Sequence, residues 1–164
     1  MADQIEDQLV EYLKDAHAME ANVDRMLDGM IKTTEDPEIR GELEHHKEET
    51  QQHKQRLEER LQAHGEDAST IKDIAAQSGA FMKGLADVAR SEKPGKNARD
   101  GFVTEHLEIA SYELLERVAK RAGDAETATV ARQNRSDEEA MANKIASHWD
   151  RFVDLTLAEE GISA

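Results

Sequence analysis

Apolar residues recur at steps of three and four along most of this chain. Ile5, Leu9, Leu13, Ala16, Val23, Leu27 and Met30 keep that rhythm and predict one amphipathic helix over 3–33. The stripe has one gap, and Glu20 stands in it. Thr33-Thr34-Glu35-Asp36-Pro37 reads as a stop followed by a start: Asp36 suits an N-cap, and Pro37 suits the first helical position, where its missing N–H costs nothing. A second helix is predicted over 37–64, ended by Gly65. Its apolar anchors are Ile39, Leu43, Leu57 and Leu61, and between them the stripe is taken by His46, Glu49 or Thr50, and His53. A shorter helix is read over 70–91 from Ile71, Ile74, Phe81 or Met82, Leu85 and Val88. The segment 91–101, with Pro94-Gly95, is the long break. A helix over 97–122 carries Phe102, Ile109, Tyr112, Leu115 and Ala119, with Gly123 behind it. The last, over 124–159, carries Ala131, Met141, Ile145, His148, Phe152 and Leu155, and Glu138 fills its missing step.

Short connections make the first two long helices antiparallel neighbours, and likewise the last two. The segment 65–96 then bridges two hairpins. The expectation is an all-α chain, one domain over 1–164, built as an antiparallel four-helix bundle with a short extra helix in a long crossover. Composition agrees: aromatic residues make up 4% of the 164 positions, too few for the faces of a β-sandwich or barrel. The absence of cysteine excludes disulfides, thiolate metal sites and cysteine nucleophiles. A net charge of −15, from 36 acidic and 21 basic residues, argues against a nucleic-acid partner. No apolar run is long enough for a membrane span, and the N-terminus is acidic where a signal peptide is basic, so a cytoplasmic protein is expected.

The chemistry lies at the hairpin centres. Glu20 precedes its turn by about as many residues as Glu49 follows it, and Glu108 and Glu138 are placed alike around the second turn, so each pair lies at one level, roughly 22 Å from its turn. His53 is one turn beyond Glu49 on the same face. Buried carboxylates repel unless something neutralises them. Helical bundles build di-iron and di-manganese sites from one Glu on each of two helices and Glu-x-x-His on the other two. The expected ligands are Glu20, Glu49, His53, Glu108 and Glu138, with Glu108 preferred to Glu105 and Glu138 to Glu139 on register, and with Fe or Mn as a two-metal cofactor. His45-His46 reads as a surface pair, and His17, His64 and His148 as surface or half-buried histidines.

The segments Asp15 to Glu20, Glu48 to His53, Glu105-His-Leu-Glu-Ile-Ala-Ser-Tyr112 and Asp137-Glu-Glu139 resemble the YciE/YciF-like stress proteins of the ferritin-like superfamily, over about residues 5–160. That resemblance implies a ferritin-like helical bundle, commonly a dimer, linked to bacterial stress response. Its relatives, the rubrerythrins and bacterioferritins, bind two irons and oxidise Fe(II) with dioxygen or peroxide. The chain departs from the di-iron pattern twice. Glu49 and His53 are four apart rather than three, and the last helix has Met141 and Ala142 where a histidine is usual. Two functions follow: a stress-response metal protein with weak oxidase or peroxide chemistry, or a non-catalytic scaffold acting through dimerisation or partner binding. A homodimer is expected in either case, because the stripe over 70–91 is left without a partner.

Overall fold

The computed structural model describes residues 2–77 and 94–162, and these contain six helices and no strand. They are α1 (Ala2–Thr33), α2 (Pro37–Ala63), α3 (Ala68–Gln77), α4 (Pro94–Ala122), α5 (Ala125–Ala146) and α6 (Trp149–Glu159). None of them is long and apolar enough to cross a membrane. The part of the helix expected over 70–91 that follows Gln77 lies outside the described residues. The part before it begins at Ala68 and sends Ile71 into the core against α1 and α2.

The chain's own capping chemistry sets the hairpins. Asp36 accepts from the backbone N–H groups of Glu38 and Ile39, both at 3.0 Å, and opens α2. At the other turn, Gly123 takes a positive φ of 80° that a residue with a Cβ rarely adopts. The N–H of Asp124 then bonds back to the Ala119 carbonyl at 3.0 Å, closing α4, while its carboxylate accepts from the N–H groups of Glu126 and Thr127 and opens α5. One residue ends one helix and begins the next.

Long-range contacts join low numbers on one helix to high numbers on its neighbour, as antiparallel packing requires. His17 meets Glu58 and Asp24 meets Lys54 across α1 and α2. Tyr112 meets Glu20 across α4 and α1, and Arg135 meets Glu116 across α5 and α4. The α2–α5 seam carries polar pairs along its length, with Glu42–Lys144, His53–Asp137, Arg56–Asn134 and Arg60–Asp124 in ladder order. The helix expected over 124–159 is instead two. Ser147 and His148 turn their side chains back onto the Lys144 carbonyl, competing with the backbone ladder, and α6 leaves at a new angle to pack on α4.

The apolar interior is split. One cluster gathers Leu9, Leu13, Leu57, Leu61, Tyr112, Leu115 and Ala131 at one end. The other gathers Val23, Leu27, Met30, Leu43, Met141, Ile145 and Phe152 at the opposite end. Each long helix passes through a polar stretch between the two: Glu20 on α1, His46 to His53 on α2, Thr104 to Glu108 on α4, and Asn134 to Glu138 on α5.

The Asp124 node ties α2 to the second hairpin, because its carboxylate also accepts from Arg60 at 3.1 Å and His64 at 2.8 Å. Burial works against its charge. Bonds from Thr127 and His64 and the nearby Arg60 outweigh that and hold the carboxyl well below the usual carboxylate range. Its stabilising contribution is therefore complete above the unfolded pKa of about 3.9 and is lost as pH falls below that value. Asp124→Ala is expected to cost about 2 kcal/mol in urea unfolding at pH 7, against under ~0.5 kcal/mol for the exposed Asp7→Ala.

Candidate metal centre

The polar layer holds six titratable side chains with almost no access to water: Glu20, His46, His53, Glu105, Glu108 and Glu138, all between 0% and 2% exposed. They form two groups. His46, Glu105, Glu108 and Glu138 offer ligand atoms that all lie within 4.8 Å of one another, and so do those of Glu20, His53 and Glu138. Glu138 belongs to both. Each group combines one imidazole with two or more carboxylates.

Helix geometry explains who arrives. On α2 the inward positions are Leu43, His46, Thr50, His53, Leu57 and Leu61, in steps of three and four. Thr50 therefore takes the inward place, and Glu49 stands about 100° round the helix from it. Its carboxylate is 28% exposed and bonds at 3.2 Å to His46 Nδ1, with His45 at 3.5 Å. Neither metal-competent group includes it. Of the other expected positions, Glu20, His53, Glu108 and Glu138 are fully buried and converge. Glu139 is exposed, as the stripe of α5 implies.

Two members lie outside the expected ligand set. His46 is buried rather than on the surface, with Nε2 3.3 Å from Glu105 and 3.5 Å from Glu138. Glu105 enters beside Glu108 because α4 turns a broad polar face inward there, from Thr104 to Glu108. The signal for His46 is its place in the α2 stripe. His17 is also buried, away from these groups, and pairs with Glu58 at 2.9 Å. The nitrogen missing from the last helix is thus replaced from α2: His46 and His53, two turns apart on one face, serve one group each.

The electrostatics are those of a cluster that needs a counter-charge. Burial pushes the Glu108 carboxyl well above the ordinary glutamate range, and the charges of Glu138, Glu20 and Glu105 add to the push. Burial likewise raises Glu20, and raises Glu105 to about 7 although His46 opposes it. Burial alone lowers an imidazole, yet the Glu138 and Glu20 carboxylates beside His53 outweigh it and carry that group to about 10. His46 is raised well above its usual value, where burial is overcome by Glu105 and Glu49. Without metal, protons supply the missing positive charge at neutral pH.

A second tier holds the cluster in place. The Tyr112 hydroxyl donates to Glu20 and accepts from Asn134 at 3.0 Å, and Asn134 in turn accepts from Arg56 at 2.8 Å. His53 presents Nδ1 to the cluster, 2.9 Å from Glu138, while Nε2 meets Asp137 at 3.0 Å. An imidazole with one nitrogen held by a carboxylate and the other facing inward is the usual arrangement of a metal ligand. Both Glu108 oxygens, both Glu138 oxygens, His46 Nε2 and His53 Nδ1 are buried without an aligned hydrogen bond. Such orphaned atoms are costly unless something pairs with them. The donor set of carboxylate and imidazole fits a hard or borderline divalent ion, so these residues could hold one.

Comparison with known proteins places this chain in a family. Among solved structures, a protein from Xanthomonas campestris pv. campestris is 27% identical, with a TM-score of 0.77 over 97% of this chain and 99% of that one. The E. coli stress protein YciF is 19% identical, with a TM-score of 0.73 over 92% and 97%. YcfI from Rhodopseudomonas palustris is 22% identical, with a TM-score of 0.66 over 87% and 92%. The family model described as "Domain of unknown function (DUF892)" matches residues 4–158. The resemblance carried by Glu105 to Tyr112 and its companion segments is therefore borne out: the chain belongs to the DUF892 family and shares the helical fold of YciF.

Proposed function

We propose that this chain is a ferritin-like metal protein: one domain, folded as an antiparallel four-helix bundle with a long crossover, holding two Fe or Mn ions in its polar layer. Glu20, His53 and Glu138 would hold one ion, and His46, Glu105 and Glu108 the other, with Glu138 serving both. The observation that carries this reading is the pair of buried donor groups joined through Glu138, each with its own imidazole. Glu49 acts from the edge, where it holds His46 Nδ1 and leaves Nε2 aimed inward. Bound iron or manganese supplies a one-electron couple suited to slow oxidase or peroxide-consuming chemistry. The protein's own part is to exclude water, to fix Glu20 through Tyr112, and to carry protons on its carboxylates and imidazoles when metal leaves.

A role in bacterial stress response, in the cytoplasm and as a homodimer, belongs to the same proposal. Likeness to the fold of YciF supports it, and the strong negative charge fits a soluble protein without nucleic-acid or membrane partners. Ile71 is buried inside the chain, and among the described residues Val103 and Leu114 of α4 offer exposed apolar surface for the dimer contact. Light scattering at micromolar concentration is expected to give twice the chain mass, and a monomer would remove the dimer.

Metal uptake has a clear signature. Calorimetric titration of chelator-stripped protein with Mn(II) is expected to show two equivalents bound. Glu138→Ala is expected to lose both, and the exposed Glu44→Ala to lose neither. The sign of the pH effect follows from the raised groups. Metal must displace protons from Glu105, at about 7, and His53, at about 10, so affinity rises with pH and weakens below about pH 7. Proton release makes the binding enthalpy depend on the ionisation heat of the buffer. Equal binding by wild type and Glu138→Ala, or none by either, would leave the non-catalytic scaffold.

The same cluster sets a cost in stability. Glu108→Leu replaces two orphaned oxygens by a side chain of similar size, and is expected to raise metal-free stability by about 1–3 kcal/mol while lowering Mn(II) affinity. A Glu108→Leu variant less stable than metal-free wild type in urea would show that the carboxyl is satisfied by other means.

A further inference from the structure

The apolar cluster at the α6 end does not close on itself. The break at Ser147 and His148 swings α6 over the N-terminal turns of α4, and of its side chains only Phe152 is buried. Between α6 and the ends of α1, α2, α4 and α5 lies a cavity of about 370 Å³. That volume is at the small end of the ~300–1,000 Å³ typical of small-molecule sites, and suits on the order of ten non-hydrogen atoms at ~30 Å³ each. Its walls are apolar and adaptable, with Met26, Met30 and Met141 facing Leu27, Ala98 and Phe152.

Both ends define the ligand. At the inner end stands Glu105, 2% exposed, whose Oε2 has no hydrogen-bond partner. Asn97 lines the same space, and its buried Oδ1 is likewise unpartnered. At the mouth the cations are already engaged. Lys144 pairs with Glu42, and Arg151 pairs with Asp36 at 2.8 Å and Glu38 at 2.6 Å. Among the described residues the mouth therefore offers no free positive charge to an anionic head group, while Asn97 Oδ1 and Glu105 Oε2 lack a hydrogen-bond partner.

We propose that this cavity is a binding site for an uncharged medium-chain aliphatic molecule with one hydroxyl, which lies along the methionine-lined walls and hydrogen-bonds to Asn97 or Glu105. The site stands on the cavity and its two unpartnered side chains, and does not require metal in the polar layer. Its position makes Glu105 common to the cavity and the cluster, so a molecule held here lies against the candidate metal centre.

The test is calorimetric titration of the full chain with octan-1-ol, performed on chelator-stripped protein and again after Mn(II) loading. Saturable one-to-one binding is expected in both states. Ala98→Leu and Leu27→Phe fill the cavity from different walls, and each is expected to weaken binding by about tenfold or more. Octanoate at pH 8 is expected to bind about tenfold less tightly than the alcohol, since carboxylate desolvation is uncompensated at a mouth whose cations are paired. Circular dichroism melts establish that the variants fold; if one does not, the other decides, and the alcohol-to-octanoate ratio on wild type decides independently. Absence of saturable octan-1-ol binding, equal affinity in wild type and a folded cavity-filling variant, or tighter binding of octanoate would overturn the proposal. Because the stripped protein is titrated first, failure here is separable from failure of the metal reading.

Discussion

Six buried titratable groups, packed between two apolar clusters, make neutralisation of charge the constraint around which this molecule is organised. Four carboxylates cannot all be ionised in a dry layer without a counter-charge. In metal-free protein that counter-charge is protons, held by raised carboxyls and by two imidazoles whose bases are strengthened by the carboxylates around them. A metal ion in the same place would perform the same task. Folding and ligand binding are then linked, because whatever neutralises the layer also permits the apolar clusters on either side to pack.

The surrounding structure serves that layer. The α2–α5 seam uses ion pairs and polar contacts along its length, so the imidazole-bearing helix is held in one register against the helix that carries Glu138. Tyr112, Asn134 and Arg56 extend the network outward from Glu20. The turn at Gly123 and Asp124 fixes the relative height of α4 and α5, and thereby of Glu108 and Glu138. A shift of one residue at that turn would carry Glu138 out of both donor groups, since neighbouring positions on a helix point about 100° apart.

Much of this is legible in the order of the amino acids. Gaps in the apolar stripes identify Glu20 and Glu138, because a polar residue at an inward position is a local contradiction that only tertiary structure resolves. Register counted from the turns brings Glu108 to the same level and prefers it to Glu105, although the fold turns both inward. The α2 stripe leaves Glu49 and Thr50 open, and counting from the turn favours Glu49. Helical phase decides for Thr50: the inward series through Leu43, His46, His53 and Leu57 passes through it. His46 reads as surface because histidine next to histidine in an acidic run looks solvated, although its phase is inward. The break at Ser147 and His148 is hidden because the apolar stripe continues through it; side-chain competition for the Lys144 carbonyl, not a proline or glycine, bends the chain.

The central claim is that Glu138 stands between two metal positions. Anomalous diffraction at the manganese edge from crystals grown with Mn(II) tests it most directly. The account requires two anomalous peaks in the polar layer, one bounded by Glu20 and His53 and the other by His46, Glu105 and Glu108, with Glu138 between them. Manganese only at surface carboxylates, or an interior with no anomalous peak and its carboxyls paired through protons, would contradict it.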